Sequence, residues 1–143
     1  MTSILKTLTF LGVLIAATTM AQAEGYLATK PIKLPDLILG TDDAGYKVSQ
    51  KEYNLKTGQS YRLKIKSTGA KEYALVSDGF FDFIWLRKVE AGDMEIKANS
   101  IYELEFEEES TAAIYFVPIK PGTYKLYARG LEHKGTFTTI NVK

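Results

Sequence analysis

Few side chains in this sequence are equipped for chemistry. His133 is the one histidine, and there is no cysteine. A lone histidine can serve as a general base or as one metal ligand, but tight metal sites use three or four protein ligands. No serine or carboxylate stands at a recognisable spacing from His133. Gly-x-Ser-x-Gly, Gly-Lys-Ser/Thr and paired-histidine motifs are absent. The sequence therefore predicts a protein that is not an enzyme and has no catalytic residues. His133 by itself reads as a surface loop residue. Beyond Met1 and Met20 the only methionine is Met94. Carriers of Cu(I) offer several soft ligands, so Met94 is expected to fill a gap in a core or loop.

Two clusters could recognise a partner without doing chemistry. Phe80, Phe81, Phe83, Ile84 and Trp85 form the densest apolar run after residue 23. They can cap a core, or leave rings exposed for docking, since aromatics are enriched in interface hot spots. Phe80 and Phe81 are neighbours, and on a regular strand they would face opposite ways. One is expected in the core and the other at the surface, which makes Phe80, Phe81, Phe83 and Trp85 the candidate partner-binding residues. The second cluster is acidic: Glu103, Glu105, Glu107, Glu108 and Glu109. It reads as the solvated face of a strand, matched across a sheet by Arg62, Lys64 and Lys66.

The elements that must position these groups are strands. Tyr61, Leu63 and Ile65 alternate with Arg62, Lys64 and Lys66, the period of a half-buried strand. Leu37–Leu39, Tyr73–Val76, Tyr102–Glu107, Ala113–Val117, Tyr124–Ala128 and Phe137–Val142 read likewise. Gly58, Gly69 and Pro121-Gly122 punctuate them as turns. Gly79–Gly92 breaks the pattern and is expected to hold a short helical turn or an irregular crossing segment. Seven to eight short strands at this spacing predict an all-β, antiparallel Greek-key sandwich.

The N-terminus predicts the compartment. Lys6 precedes an apolar run from Leu8 to Met20, and Ala21-Gln22-Ala23 has the small-x-small form of a signal-peptidase site. The run of roughly 13 residues falls short of the ~20 that span a bilayer. Residues 1–23 are thus expected to be a signal peptide cleaved after Ala23, giving a periplasmic protein with no membrane span. The remaining 120 residues suit one domain that needs no disulfide. Residues 24–45 read as an arm with a first strand, and 46–143 as the domain proper. Across residues 24–143, 17 basic residues balance 17 acidic ones, which argues against nucleic acid and anionic lipid as partners.

From Tyr53 to Lys143 the chain resembles the cupredoxin family. The resemblance rests on Leu55–Ile65, Phe116-Val117-Pro118, Pro121-Gly122-Thr123-Tyr124, His133 with Gly135, and Thr139–Val142. Glu72–Val76 followed by Phe80-Phe81 is similar to a branch of exported bacterial cupredoxin-like proteins. The resemblance implies a cupredoxin-like sandwich and positions for the four blue-copper ligands, two histidines, a cysteine and an axial methionine. Those positions here hold Glu72-Tyr73, Ala128, His133 and Phe137-Thr138. Without a thiolate no blue-copper centre can form. The expectation is a periplasmic cupredoxin-like accessory or binding module for a protein or small ligand, with no cofactor. The alternative is weak, labile binding of copper or another divalent metal for trafficking, with Glu72 and His133 as a remnant site and Glu132 or Asp78 as extra oxygen donors.

Overall fold

The computed structural model describes Leu27–Lys143; the expected signal peptide, residues 1–23, lies outside the described residues. Eleven strands form two sheets. Sheet A contains β1 (Ile32–Lys33), β4 (Tyr61–Thr68), β9 (Glu109–Pro118), β6 (Ile84–Ala91) and β7 (Met94–Ile96) in that order, with β2 (Leu37–Leu39) also on β4. Sheet B runs β3 (Glu52–Leu55), β11 (Phe137–Val142), β10 (Gly122–Ala128), β5 (Tyr73–Ser77) and β8 (Leu104–Phe106). No α-helix occurs among the described residues, and two short 3-10 turns sit at Phe81–Phe83 and Glu132–Lys134.

Alternation built these sheets as expected. In β4, Tyr61, Leu63 and Ile65 are buried while Arg62, Lys64 and Lys66 are half-exposed. The inner row of sheet A meets Tyr53, Tyr73, Leu75, Leu126, Ile140 and Val142 from sheet B in one core. Three pairings depart from the antiparallel expectation. Strands β1 and β2 run parallel to β4, and β3 runs parallel to β11. The strands beyond the seven read from the sequence are β1, β3, β6 and β7.

Gly79–Gly92 holds the expected helical turn, but the segment is otherwise regular. Ile84–Ala91 is an eight-residue strand paired along its length with β9. A bulge between Leu86 and Lys88 shifts its register, so Leu86 and Val89 both face the core three residues apart. That phase shift erases the period-2 signal. Met94 is also not a gap-filler: it lies on the edge strand β7 and is 64% exposed.

Residues 35–48 pack into the sandwich, with the expected strand Leu37–Leu39 on β4. Leu37, Leu39 and Val48 are buried. A segment placed there must find partners for its carbonyls, because an unpaired buried polar group costs about as much as a lost hydrogen bond. Two core tyrosines, a buried threonine and an exposed one supply them. The Tyr53 hydroxyl donates to Pro35 O (2.9 Å) and the Tyr73 hydroxyl to Gly45 O (2.7 Å). Thr68 Oγ1 donates to Gly40 O (3.0 Å) and Thr136 Oγ1 to Tyr46 O (2.7 Å). Burial pushes the phenols of Tyr53 and Tyr73 above their ordinary range, so both remain donors. Gly40 permits the approach. It has φ +82°, and a Cβ there would lie 2.1 Å from the Tyr73 oxygen.

Tyr73→Phe should cost about 1–3 kcal/mol by orphaning Gly45 O. Gly40→Ala should cost at least a similar ~1–3 kcal/mol from backbone strain alone. Urea unfolding of the two variants checks this; a loss near zero for Tyr73→Phe would mean that water takes over the carbonyl.

Candidate functional site

The strand directions put the four ligand-equivalent positions at one end of the sandwich. Leu75 of β5 lies opposite Ala128 of β10, and Arg129 N donates to Ala74 O (2.8 Å). Glu72, which precedes β5, and the 129–136 loop therefore share that end. Each position has a definite occupant. Glu72 is exposed, whereas its neighbour Tyr73 is fully buried and committed to Gly45. Ala128 is fully buried, with its N–H donated to Thr136 O. His133 is exposed in the middle of the Glu132–Lys134 turn, which Gly135 closes in the left-handed conformation.

The axial position fares no better. Phe137 turns outward between Lys51 and Lys125, whose ammonium groups lie 5.7 and 5.0 Å from its ring. Thr138 turns inward and is fully buried with its hydroxyl unpartnered. A hydroxyl, a methyl and a phenyl ring offer none of the softness that holds copper in a His₂Cys site. Around Glu72 and His133 the charge is also unfavourable to a cation. Lys71 and Lys134 converge on the Tyr46 ring, at 4.6 and 5.9 Å. Asp78 lies beyond the far end of β5, roughly 20 Å from Glu72 at strand rise, and its carboxylate accepts the Lys125 N–H (2.6 Å). The residues at this end do not fit a blue-copper group.

The aromatic run sits at the opposite end, and here the expectation needs correcting. Phe80 and Phe81 are both buried, at 0% and 3% exposure. They precede and open a 3-10 turn rather than occupying a strand, so adjacent side chains need not face opposite ways. Phe80 plugs the gap between the sheets, edge-on to Phe116 (5.4 Å) and tilted against Tyr124 (5.9 Å). Phe83 is half-buried under Lys120, whose ammonium is 4.0 Å from the ring. Trp85 alone reaches the surface, opposite Val117 on the outer side of sheet A.

The acidic ladder is also placed differently. Arg62, Lys64 and Lys66 face Tyr115, Ala113 and Thr111, not glutamates. Strand β8 belongs to the other sheet, where Glu105 lies opposite Ala74. Glu103 instead pairs with Arg129 (2.6 Å).

That pair borders a site which sequence reasoning missed. A recess of about 330 Å³ opens on the outer face of sheet B. Val76 and Tyr127, paired across β5 and β10, lie in its wall with Ser77, Phe81, Ser100, Ile101 and Tyr102. Arg129 lies 5.6 Å from the Tyr102 ring. Tyr102 is 82% exposed because its strand begins only at Leu104. The recess is assembled from four separate segments, so no local pattern announces it.

No protein-family model and no curated protein sequence matches this chain. Solved structures do match. The chain is similar to a multicopper oxidase from Campylobacter jejuni, with a TM-score of 0.59 at 12% identity over 81% of this chain. It is similar to a laccase from Pediococcus acidilactici, with a TM-score of 0.62 at 12% identity over 82% of it. Auracyanin B matches with a TM-score of 0.51 at 14% identity over 80% of it. The chain spans 31% and 28% of the two oxidases but 91% of auracyanin B. At these identities the likeness establishes the fold. The protein is an all-β sandwich of the cupredoxin-like class.

Phe80→Ala and Phe81→Ala should each cost about 3–5 kcal/mol, from lost transfer energy and the cavity left behind. Trp85→Ala, at 37% exposure, should cost clearly less. Comparable losses in urea for all three would show that Trp85 is as deeply packed as Phe80.

Proposed function

We propose that this protein is an exported cupredoxin-type binding module that works without a blue-copper centre. Its binding site is the sheet B recess, which accepts a small polar ligand or a side chain of a partner protein. The observation that carries this reading is the grouping of Tyr102, Tyr127 and Arg129 over an apolar wall made partly by Phe81. Ligand sites combine apolar and aromatic lining with a few placed polar groups, in volumes from roughly 300 Å³ upward. The recess has that size and the aromatic lining, but its surface is more polar than apolar, with Ser77, Ser100 and Asp82 adding polar atoms, which suits a polar ligand. The absence of cysteine and the packing of Tyr73 and Ala128 support a role independent of electron transfer. The signal-like sequence of residues 1–23 supports action outside the cytoplasm.

Two measurements test the proposal. Tyr102→Ala should leave stability within roughly 0.5 kcal/mol, as for ordinary surface changes. The same variant should lose the ligand or partner that the unaltered protein captures from a periplasmic extract, and Arg129→Ala should lose it too. Titration with Cu(II), Cu(I) and Zn(II) provides the second. Saturation with Cu(II) should give no intense band near ~600 nm, the region of Cu–thiolate charge transfer. Tight metal binding abolished by His133→Ala would replace this reading with metal trafficking through Glu72 and His133.

A further inference from the structure

We propose that a second recess, on the outer face of sheet A, binds a small organic carboxylate through Arg62 and Lys64. The site follows from register. Ala113 of β9 lies between Lys64 of β4 and Glu90 of β6, and Tyr115 lies between Arg62 and Lys88. Long side chains on both flanks and a methyl group between them leave a hollow. Its volume is about 470 Å³, and Ser110 and Thr111 complete its rim. The Ala113 floor is buried, at 4% exposure.

Charge pairing decides what the hollow attracts. Lys88 bonds to both Glu90 and Glu95 at 2.7 Å, and Lys97 also pairs with Glu95. The Tyr115 hydroxyl donates to the other Glu90 oxygen (2.8 Å). Hydrogen bonds from Lys88 and then Tyr115 hold the Glu90 carboxyl below its ordinary range, so it stays ionised and answered. Lys66 is taken by Asp36 at 2.7 Å. Among the described residues, Arg62 and Lys64 have no carboxylate partner.

The inner part of the Arg62 side chain is packed away: its Nε is closed to water, which leaves Arg62 to meet a ligand through its terminal Nη groups. Its guanidinium rests 5.8 Å from the Tyr115 ring, which limits the conformations it must give up on binding. A planar guanidinium matches a carboxylate bidentately, and the Lys64 ammonium beside it adds a point charge. The face around them is a β-sheet rather than a loop, so the two cations keep their spacing.

The test uses citrate as the probe, by calorimetry at low ionic strength. Citrate should bind, and Arg62→Gln should weaken it by about tenfold or more, equivalent to about 1.4 kcal/mol. Arg62→Lys should recover only part of that loss, because the charge returns without the planar fork. Ala113→Leu, which fills the hollow and changes no charge, should also weaken binding. Lys125→Gln, on sheet B, should leave it unchanged. Unfolding midpoints accompany each variant, and the amide resonances of Thr111 and Ala113 should shift on titration. Absence of citrate binding overturns the proposal. So does an equal loss in Lys125→Gln, which would indicate attraction to lysines in general. Inorganic phosphate binding as tightly as citrate would overturn the carboxylate assignment.

Discussion

The Tyr73 hydroxyl, buried against Gly45 O, is the contact on which much else depends. The sandwich packs residues 35–48 against its core through Leu37, Leu39 and Val48. Backbone carbonyls taken from water in that way need donors that the sheet ladders do not supply. Tyr53, Tyr73 and Thr136 supply them from the interior, and Thr68 from the exposed end of β4. Two consequences follow at the same place. The glycine at position 40 is fixed by the oxygen it must admit. The end of the sandwich nearest Glu72 is filled by a phenol and its anchors, which leaves Glu72 and His133 outside on exposed backbone. The same hydrogen bonds that hold the arm close off the interior between them.

Zero net charge in residues 24–143 conceals an uneven distribution. Arg62, Lys64, Lys66 and Lys88 lie on the outer rows of sheet A, while Glu105, Glu107, Glu108 and Glu109 lie on β8, the turn after it and the first position of β9. Opposite charges meet mostly within one neighbourhood, as in the chain Lys97–Glu95–Lys88–Glu90, rather than across the molecule. Exposed pairs of this kind each contribute about 0–1 kcal/mol. Their effect is to decide which cations remain free to meet something else.

Strands with unbroken alternation were legible in the sequence: β4, β10 and β11 follow their apolar rows. So was the fold class, which needs only the number and spacing of such rows. Legibility ended where the phase slipped or the element was short. In β6 a single bulge after Leu86 was enough to hide an eight-residue strand inside its sheet. Phe80 and Phe81 were misassigned because the argument from opposite faces presumes an extended chain, and theirs is a 3-10 turn. The acidic ladder failed for another reason. Alternation says which residues share a face, but nothing in it says which sheet that face belongs to. Both recesses are products of pairing between distant strands, and pairing register is the quantity a one-dimensional pattern does not contain.

The parallel seam between β3 and β11 also orders events in time. Strand β11 is an inner member of sheet B, hydrogen-bonded to β10 on one side and β3 on the other. Glu52 acquires its neighbour only when Thr139 exists, so β3 has no place to settle while the intervening chain is being made. Such long-range closure slows folding relative to local contacts. The topology itself leaves sheet B incomplete until nearly all of the chain has been made.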